Sequence, residues 1–428
     1  MRTGLGGVVC LLFALCVAVD ADAQHSLPAM SPAVETFTIL PTLGGQDAFA
    51  TGVSEAGHVV GWAAAEDETP HAFVWTRAAG LRELVSRVHR SAAYGVNDYG
   101  QVVGWFENEQ GIQRAFVWSE RKGVTELPAP AASTSTARFI TNTGRILGQI
   151  DNEDVVWEPD GTVRPVSAIV GAPVNGVLMN QFGDFVGGSW AGAFRWTART
   201  GFEIFNIPGY TTGINDAGDV VAVGQPDPDV TMQPFLWTAA GARAMLHPPI
   251  GGENVAGPVN NVRQAIGWAE SDTPDGWDSM AFLWSPATGL VPIWATNGED
   301  GGFLSATAGI NDQATMVGMI ETDNVTPFSG GRVAVVVQLR TTPAQFTSAM
   351  RVRITAAARH GLLAHGHSRA LLARLDQIER DLRRRHAGLS HVRELQRQIA
   401  ALSRNGALPD AFSLPLRILA AKLIDSVR

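Results

Sequence analysis

The chain has 428 residues, of which 45% are hydrophobic and 17% charged, and its formal net charge is −9. About 400 residues of this composition can be stabilised by core burial alone. No stretch after the N-terminal segment approaches 18 consecutive apolar residues, so no transmembrane helix is expected.

The first predicted element is a secretory signal over residues 1–23. Arg2 precedes an apolar run from Val8 to Val19, and Ala21-Asp22-Ala23 fits the small-x-small cleavage pattern. The alternative is a buried N-terminal helix. Both cysteines, Cys10 and Cys16, lie inside this segment. We therefore expect a secreted, periplasmic or extracellular protein without disulfides, thiol catalysis or thiolate metal sites.

Residues 24–340 contain a unit that occurs seven times. Each unit has a Ser, Thr or Asn that we call the anchor, at Ser54, Asn97, Thr141, Asn180, Asn215, Asn260 and Asn311. The anchors are 35 to 51 residues apart, which is the period of a four-stranded propeller blade.

Each unit also has the same internal order of predicted elements. The anchor and a Gly three residues later favour a tight turn, and an apolar run follows that ends in Gly seven residues after the anchor in six units. A motif such as HAFVW (71–75) or RAFVW (114–118) then predicts a third strand, and a Gly and a short apolar run predict a fourth. Asn97, Phe116 and Trp118 are predicted to be turn and core residues. Seven such units predict an all-β seven-bladed β-propeller.

The units resemble the extracellular repeats of the HAF family, named for the triplet that stands here as His71-Ala72-Phe73. The resemblance covers residues 36–340. Arg263 and Ala314 depart from it because they replace the turn glycine in units six and seven, and only unit one has the histidine. The resemblance implies secretion and a repeat fold, and it implies no reaction.

The seventh unit lacks a fourth strand before Pro343. At the other end of the repeats, the segment ETFTILPTLGG (35–45) is a predicted strand without a blade. Joining the two would remove two exposed sheet edges, so we expect this segment to complete blade seven.

The loops between the second and third strands should lie on one face of a propeller. Here they hold 16 Asp and Glu residues and no Lys or Arg, which predicts a negatively charged binding face. The alternatives are an ordinary solvated surface and, for the tryptophans, packing under their own loops. The candidate binding residues are Glu66, Asp67, Glu68, Glu107, Glu109, Asp151, Glu153, Trp190, Asp272, Asp275, Trp277, Asp278 and Asp323.

From Pro343 the apolar period changes from two to 3.6, which predicts a small all-α helical bundle over residues 343–428. Thr342 is expected to cap the first helix, Ser368 to cap the second, and a third should start at Ser390 and a fourth at Leu414. The leucine and glycine spacing resembles the helical FIMAH-type module at the C-termini of secreted microbial proteins. That resemblance implies an attachment or interaction role.

The two predicted domains differ in charge. Residues 343–428 have 15 Lys/Arg and 6 Asp/Glu, a net charge of +9, whereas residues 24–342 have a net charge of −17. A basic patch of Arg380, Arg383, Arg384 and Arg385 could dock on the acidic face of its own chain or of a neighbour, or could simply be solvated. A −17 propeller is a poor partner for nucleic acid.

No hydrolase, phosphate-loop, zinc-protease or dinucleotide motif is present, and we expect no cofactor and no metal. His360, His365 and His367 could suggest a metal site, but we favour a solvated turn between helices.

Two functions remain. The preferred one is a secreted, non-enzymatic binding protein that presents its acidic face to a protein, glycan or cationic partner. The alternative is a polysaccharide lyase or hydrolase that uses carboxylates such as Glu107 and Asp151.

Overall fold

A computed structural model describes residues 33–85, 90–205, 209–224, 232–246, 254–273, 276–293, 304–322, 331–384 and 388–427. Within these residues the chain forms seven four-stranded antiparallel sheets followed by a helical bundle. The predicted fold class, a seven-bladed β-propeller with a C-terminal helical bundle, is confirmed.

The first three blades are built from consecutive strands, innermost strand first. Blade one contains β2 (Gly44–Val53), β3 (Val59–Ala65), β4 (Pro70–Thr76) and β5 (Gly80–Glu83). Blade two contains β6 (Ser91–Val96), β7 (Val102–Glu107), β8 (Gln113–Ser119) and β9 (Gly123–Glu126). Blade three contains β10 (Ser135–Ile140), β11 (Ile146–Ile150), β12 (Glu153–Trp157) and β13 (Val163–Pro165).

The next three blades repeat this order. A short helix, α1 (Val166–Val170), precedes blade four, which contains β14 (Asn175–Met179), β15 (Phe185–Ser189), β16 (Gly192–Thr197) and β17 (Gly201–Ile204). Blade five contains β18 (Gly209–Ile214), β19 (Val220–Gly224), β20 (Gln233–Trp237) and β21 (Arg243–Met245). Blade six contains β22 (Asn254–Val259), β23 (Ala265–Thr273), β24 (Gly276–Ser285) and β25 (Gly289–Ile293).

Blade seven joins the two ends of the propeller. It contains β26 (Leu304–Ile310), β27 (Thr315–Thr322) and β28 (Gly331–Leu339), and its fourth strand is β1 (Val34–Ile39). In this antiparallel pair Thr38 lies opposite Val336, and the Leu40 amide donates to the Ala334 carbonyl at 2.8 Å. The predicted closure of the ring by the N-terminal strand is confirmed.

The repeated glycine seven residues after the anchor has a steric cause. The innermost strand of most blades carries a bulge, and the backbone of this strand lies very close to the glycine. A Cβ atom on Gly61 or Gly104 would lie 2.0 Å from the carbonyl oxygen of Phe49 or Ala92. A side chain at these positions would force the two strands apart.

The motif residues that the sequence placed in turns and cores are buried. Phe116 and Phe73 are fully buried between neighbouring blades, Trp118 is 6% exposed, and Asn97 is 1% exposed. The interpretation of these residues as scaffold is confirmed.

Four helices follow: α2 (Pro343–Arg359), α3 (His365–Arg383), α4 (Leu389–Arg404) and α5 (Asp410–Ser426). Three residues separate β28 from α2, and the Thr342 amide donates to Gln345 Oε1 at 2.7 Å at the helix start. Ser368 does not cap α3, because that helix begins at His365 and the Ser368 hydroxyl donates to the His365 carbonyl. Helix α5 begins four residues before the predicted Leu414.

Several acidic segments that the sequence placed in loops are strand ends. In blade six, strands β23 and β24 continue as a ladder that pairs Asp272 with Trp277 and Ser271 with Asp278. The alternation of polar and apolar residues is weak in this hairpin, so the extension was missed.

Candidate functional site

The turns between the first and second strands meet on one face, which we call the turn face. The hairpins between the second and third strands lie on the opposite face, which we call the hairpin face. The turn face contains the residues that position the C-terminal bundle. The hairpin face contains the candidate binding residues.

Each asparagine anchor connects its own turn to the next blade. In blade six, Asn260 Oδ1 accepts from the amides of Val262 and Gln264, and Asn260 Nδ2 donates to the Asn311 carbonyl at 2.9 Å. The same donation across blades joins Asn97 to Thr141, Asn180 to Asn215, Asn215 to Asn260 and Asn311 to Ser54. Ser54 and Thr141 have no amide group, so they hold only their own turns.

The residue after each anchor forms a second set of bonds around the propeller axis. We call this set the axial ring: Glu55, Asp98, Asn142, Gln181, Asp216, Asn261 and Asp312. The side-chain oxygen of each residue accepts the backbone N–H of its counterpart in the preceding blade, at 2.8 to 3.2 Å. The last bond runs from the Asp312 amide to Glu55, which closes the ring. This explains why every unit has an acid or amide at this position.

Four members of the axial ring are carboxylates, and one arginine from the bundle sits among them. Arg353 of α2 places Nε 2.7 Å from Asp312 Oδ2, Nη2 2.9 Å from Glu55 Oε1 and Nη1 3.1 Å from Asp216 Oδ2. Its side chain is only 11% exposed. Arg353 therefore closes the central channel at the turn face.

Burial and charge shift the pKa values at this centre. Burial, together with the negative charges of Asp312 and Asp98, raises the pKa of Glu55 to about 8, although Arg353 opposes the shift. Burial also raises the pKa of Asp216. Burial favours the neutral form of Arg353, but the carboxylates of Asp312, Asp216 and Glu55 outweigh it and raise the pKa of the guanidinium. Arg353 is therefore charged, whereas Glu55 binds a proton near neutral pH.

Other contacts hold the bundle on the turn face. The Phe182 ring from blade four stacks between His360 and Phe412, with centroid distances of 4.7 and 5.0 Å. His360 Nε2 lies 3.3 Å from Asp184 Oδ2, and Arg359 Nη1 donates to the Ala217 carbonyl at 2.8 Å. The bundle thus contacts blades four and five through aromatic stacking and polar bonds, in addition to the axial arginine.

The channel contains two cavities along its axis. A cavity of about 160 Å³ lies directly against the axial ring and Arg353. A second cavity of about 410 Å³ lies nearer the hairpin face and is lined mainly by apolar residues of the innermost strands. Tyr94 and Arg138 are polar members of its wall. Arg138 pairs with the buried carboxylate of Asp154, and the Tyr94 hydroxyl accepts from Trp105 Nε1 at 3.2 Å.

Several candidate acids on the hairpin face accept hydrogen bonds from their own blades. Asp67 accepts the Thr69 amide and hydroxyl, Glu68 accepts the Gln46 amide, and Asp151 accepts the Thr134 amide. Hydrogen bonds from Ser133 and Thr134 lower the pKa of Asp151. Asp151 therefore stays ionised, which does not suit the general-acid role of the alternative enzyme hypothesis.

Other candidate residues on this face are available to a partner. Trp190 is 89% exposed, so it does not pack under its own loop. Glu66, Glu109 and Glu153 are exposed, and the structure gives their carboxylates no ion-pair partner among the described residues. Glu107 is half-buried at the end of β7, and the hydrogen bonds of Asp151 among the described residues come from Ser133 and Thr134 and not from Glu107.

The five remaining candidates are placed only in part or not at all. Asp272, Trp277 and Asp278 belong to the hairpin of β23 and β24, but their side chains lie outside the described set. Asp275 and Asp323 lie outside the described residues altogether, as does the predicted signal.

The structure places the predicted basic patch away from the hairpin face. Arg380 donates to Gln377 on its own helix, Arg383 lines a crevice with Thr342 and Pro343, and Arg385 lies outside the described residues. The bundle docks through Arg353 on the turn face, so docking of the patch on the hairpin face of its own chain is wrong. Counting charged residues along the sequence did not reveal docking through Arg353, because the axial carboxylates are dispersed over four blades.

The histidine segment also differs from the expectation. His360 is not in a solvated turn, since its side chain lies between the bundle and blade four, whereas His365 and His367 are exposed at the start of α3. Across the described ranges, no group of three or more His, Cys, Asp or Glu side chains is arranged to hold a metal ion. The helices described are all too short or too polar to span a bilayer.

The sequence matches no protein-family model and no curated protein. Solved structures with a similar fold include a streptogramin B lyase, with 14% identity and a TM-score of 0.45 over 72% of this chain and 100% of that one. The acylaminoacyl peptidase of Pyrococcus horikoshii has 9% identity and a TM-score of 0.46, over 69% of this chain and 52% of that chain. The β-propeller domain of the trilobed protease from Pyrococcus furiosus has 8% identity and a TM-score of 0.43, over 68% and 95%. At these identities the similarity concerns the fold alone.

Proposed function

We propose that the protein is a secreted, non-enzymatic binding protein whose partner docks on the hairpin face. The observation that carries the proposal is the division of roles between the two faces. The turn face is covered by the bundle, and the axial carboxylates there are engaged by Arg353. The hairpin face instead has exposed acids and exposed aromatic side chains.

The chemistry of the hairpin face favours a cationic or amphipathic partner. Glu66, Glu109 and Glu153 on blades one to three form an acidic arc beside Trp190 on blade four. Tyr94 and Tyr210, which are 37% and 47% exposed, add aromatic surface on the innermost strands. Aromatic rings with nearby carboxylates can bind a protein or a glycan, and the negative field would attract a basic partner. The HAF-type repeat pattern and the N-terminal signal pattern support an extracellular location.

The test compares the full-length chain with two variants in a glycan array and in pull-downs from extracellular fractions. Replacing Trp190 with Ala, or Glu66, Glu109 and Glu153 together with Gln, should weaken binding of the recovered partner at least about tenfold. The control replaces Glu35 and Glu120 with Gln, because these exposed acids lie toward the turn face. Loss of binding in the control variant, or full retention of binding in both test variants, would refute the assignment of the binding site to the hairpin face.

A further inference from the structure

The bundle has an apolar groove that the propeller does not cover. The groove lies between α4 and α5, has a volume of about 920 Å³, and its floor is formed by Ala400, Leu414, Ile418, Ala421 and Ile424. Leu414, Ile418 and Ala421 are spaced at helical intervals along one side of α5. This side is separate from the side that forms the bundle core.

Helix α5 is apolar on two sides. Between Ala411 and Ile424 its only polar residues are Ser413, Arg417 and Lys422. Leu416, Leu419 and Leu423 on one side are buried in the bundle core. A helix that is apolar nearly all round is normally covered on all sides. The second apolar side of α5 therefore indicates a missing partner.

The rim of the groove is basic. Arg393 and Arg397 of α4 and Arg417 of α5 line it, and no acidic residue does. Arg397 also pairs with Glu394 at 2.9 Å, but its side chain is 76% exposed. Exposed arginines beside an apolar floor favour a partner with apolar residues on one side and carboxylates at its edges.

We propose that the α4–α5 groove is the docking site for an acidic amphipathic helix of another protein. A third helix that packs in the groove between two helices buries its apolar side and places its acids against the three arginines. This site is independent of the hairpin face, so the protein would bind two partners at opposite ends.

The shape of the site favours a helix over a membrane surface. A membrane-binding helix presents protruding large apolar side chains to the lipid. Among the described residues, the exposed large hydrophobic side chains belong to the propeller, and none belongs to the bundle. The apolar residues of α5 are recessed between two helices, where another helix can reach them.

The test uses the full-length chain and a synthetic 18-residue helical peptide with Leu at positions spaced three and four apart and Glu elsewhere. Binding is followed by fluorescence anisotropy at 50 mM and 300 mM salt. A second peptide has Lys in place of Glu, and a third has Ala in place of Leu. We expect the acidic leucine peptide to bind at least about tenfold more tightly than either control peptide, and more weakly at the higher salt.

Two charge reversals on the same helix locate the site. Arg417→Glu changes the groove, whereas Lys422→Glu changes an exposed residue outside its lining. Arg417→Glu should reduce peptide affinity at least about fivefold and Lys422→Glu less than twofold, with melting temperatures compared to confirm folding. Equal effects of the two reversals, or tight binding of the lysine peptide, would overturn the proposal. So would binding to vesicles that contain anionic lipid in the absence of peptide binding.

Discussion

The guanidinium of Arg353 lies 2.9 Å from the carboxylate of Glu55, although 298 residues separate them in the chain. Glu55 belongs to the first blade and Arg353 to the first helix of the bundle. Their contact lies on the propeller axis, together with Asp216 and Asp312. One arginine thus connects three blades and the C-terminal module at a single point.

Removing this arginine should separate the bundle from the propeller. Arg353→Ala leaves buried carboxylates without their cation, and the loss of one partner from a buried ion pair typically costs about 3 to 5 kcal/mol. We expect two separate transitions in urea unfolding, and faster proteolysis between Leu339 and Pro343. Arg351→Ala is the matched control, because Arg351 pairs with Asp376 and Glu379 inside the bundle and is partly exposed. An equal effect in the control would contradict the role given to Arg353.

The free energy of unfolding should depend on pH through Glu55. Its pKa is about 8 in the folded protein and about 4.5 in its ordinary state, so the folded protein binds more protons between these pH values. Stability then falls as the pH rises through this window, by at most about 1.4 kcal/mol per pH unit for one group.

Glu55→Gln copies the protonated form, so it should match the wild type at pH 5 and be more stable at pH 9. Asp216, whose pKa is also raised, should leave a shallower slope in this variant. Urea unfolding at pH 5, 7 and 9 measures the difference, with the exposed Glu35→Gln as control. Parallel pH profiles for the wild type and Glu55→Gln would contradict the expectation.

Deleting strand β1 should open the ring. Residues 34–39 supply the whole fourth strand of blade seven, and Val34 is buried in its core. Without them β28 becomes an exposed edge, so we expect aggregation and a melting temperature lower by about 10 °C or more.

A synthetic peptide of residues 33–41 should restore part of the lost melting temperature, because it can pair with the free edge. A scrambled peptide of the same composition is the control. A deletion variant that melts at the wild-type temperature would show that the strand does not close the ring.

The asparagine anchors should stabilise the protein more than ordinary turn asparagines. Asn260→Ser keeps a side-chain oxygen for the turn but removes the Nδ2 donations to the Asn311 carbonyl and to Gln264 Oε1, which together should cost about 1 to 3 kcal/mol. Asn108→Ser is the matched control. Asn108 makes the same turn bonds, to Gln110 and Ile112, on the hairpin face and without a bond across blades. Chemical denaturation of both variants should show a clearly larger loss for Asn260→Ser.

The blades could be predicted because their signals are local. An anchor such as Asn97, the glycine at position 100 and the apolar pair Val102-Val103 define a turn and a strand within ten residues, and the pattern occurs seven times. The same reasoning identified Arg263 and Ala314 as departures. Both adopt left-handed φ angles, 62° and 55°, where five other blades have glycine. Such a conformation costs a residue with a side chain about 1 to 2 kcal/mol.

The docking of the bundle could not be predicted because it depends on distant residues. The sequence signal for the axial ring was present, since an acid or amide follows every anchor. Within any single blade, however, this acid or amide looks like an ordinary turn residue. Arg353 is one of 15 basic residues after position 342, and nothing in its local sequence distinguishes it. Counts of net charge favoured Arg383 and its neighbours as the docking residues. Such counts follow the density of positive charge along the sequence and ignore burial.

The contact between Arg353 and Glu55 also has a consequence for the order of folding. Contacts between residues far apart in sequence are slow to form, since the entropy of a long loop must be lost before they form. Blades one to six can assemble from neighbouring residues as the chain emerges during synthesis. Blade seven cannot form until β28 pairs with β1. The ion pairs on the propeller axis cannot form until Arg353 is in place. A chain that ended before α2 would hold the carboxylates of Glu55, Asp98, Asp216 and Asp312 around one axis without a cation.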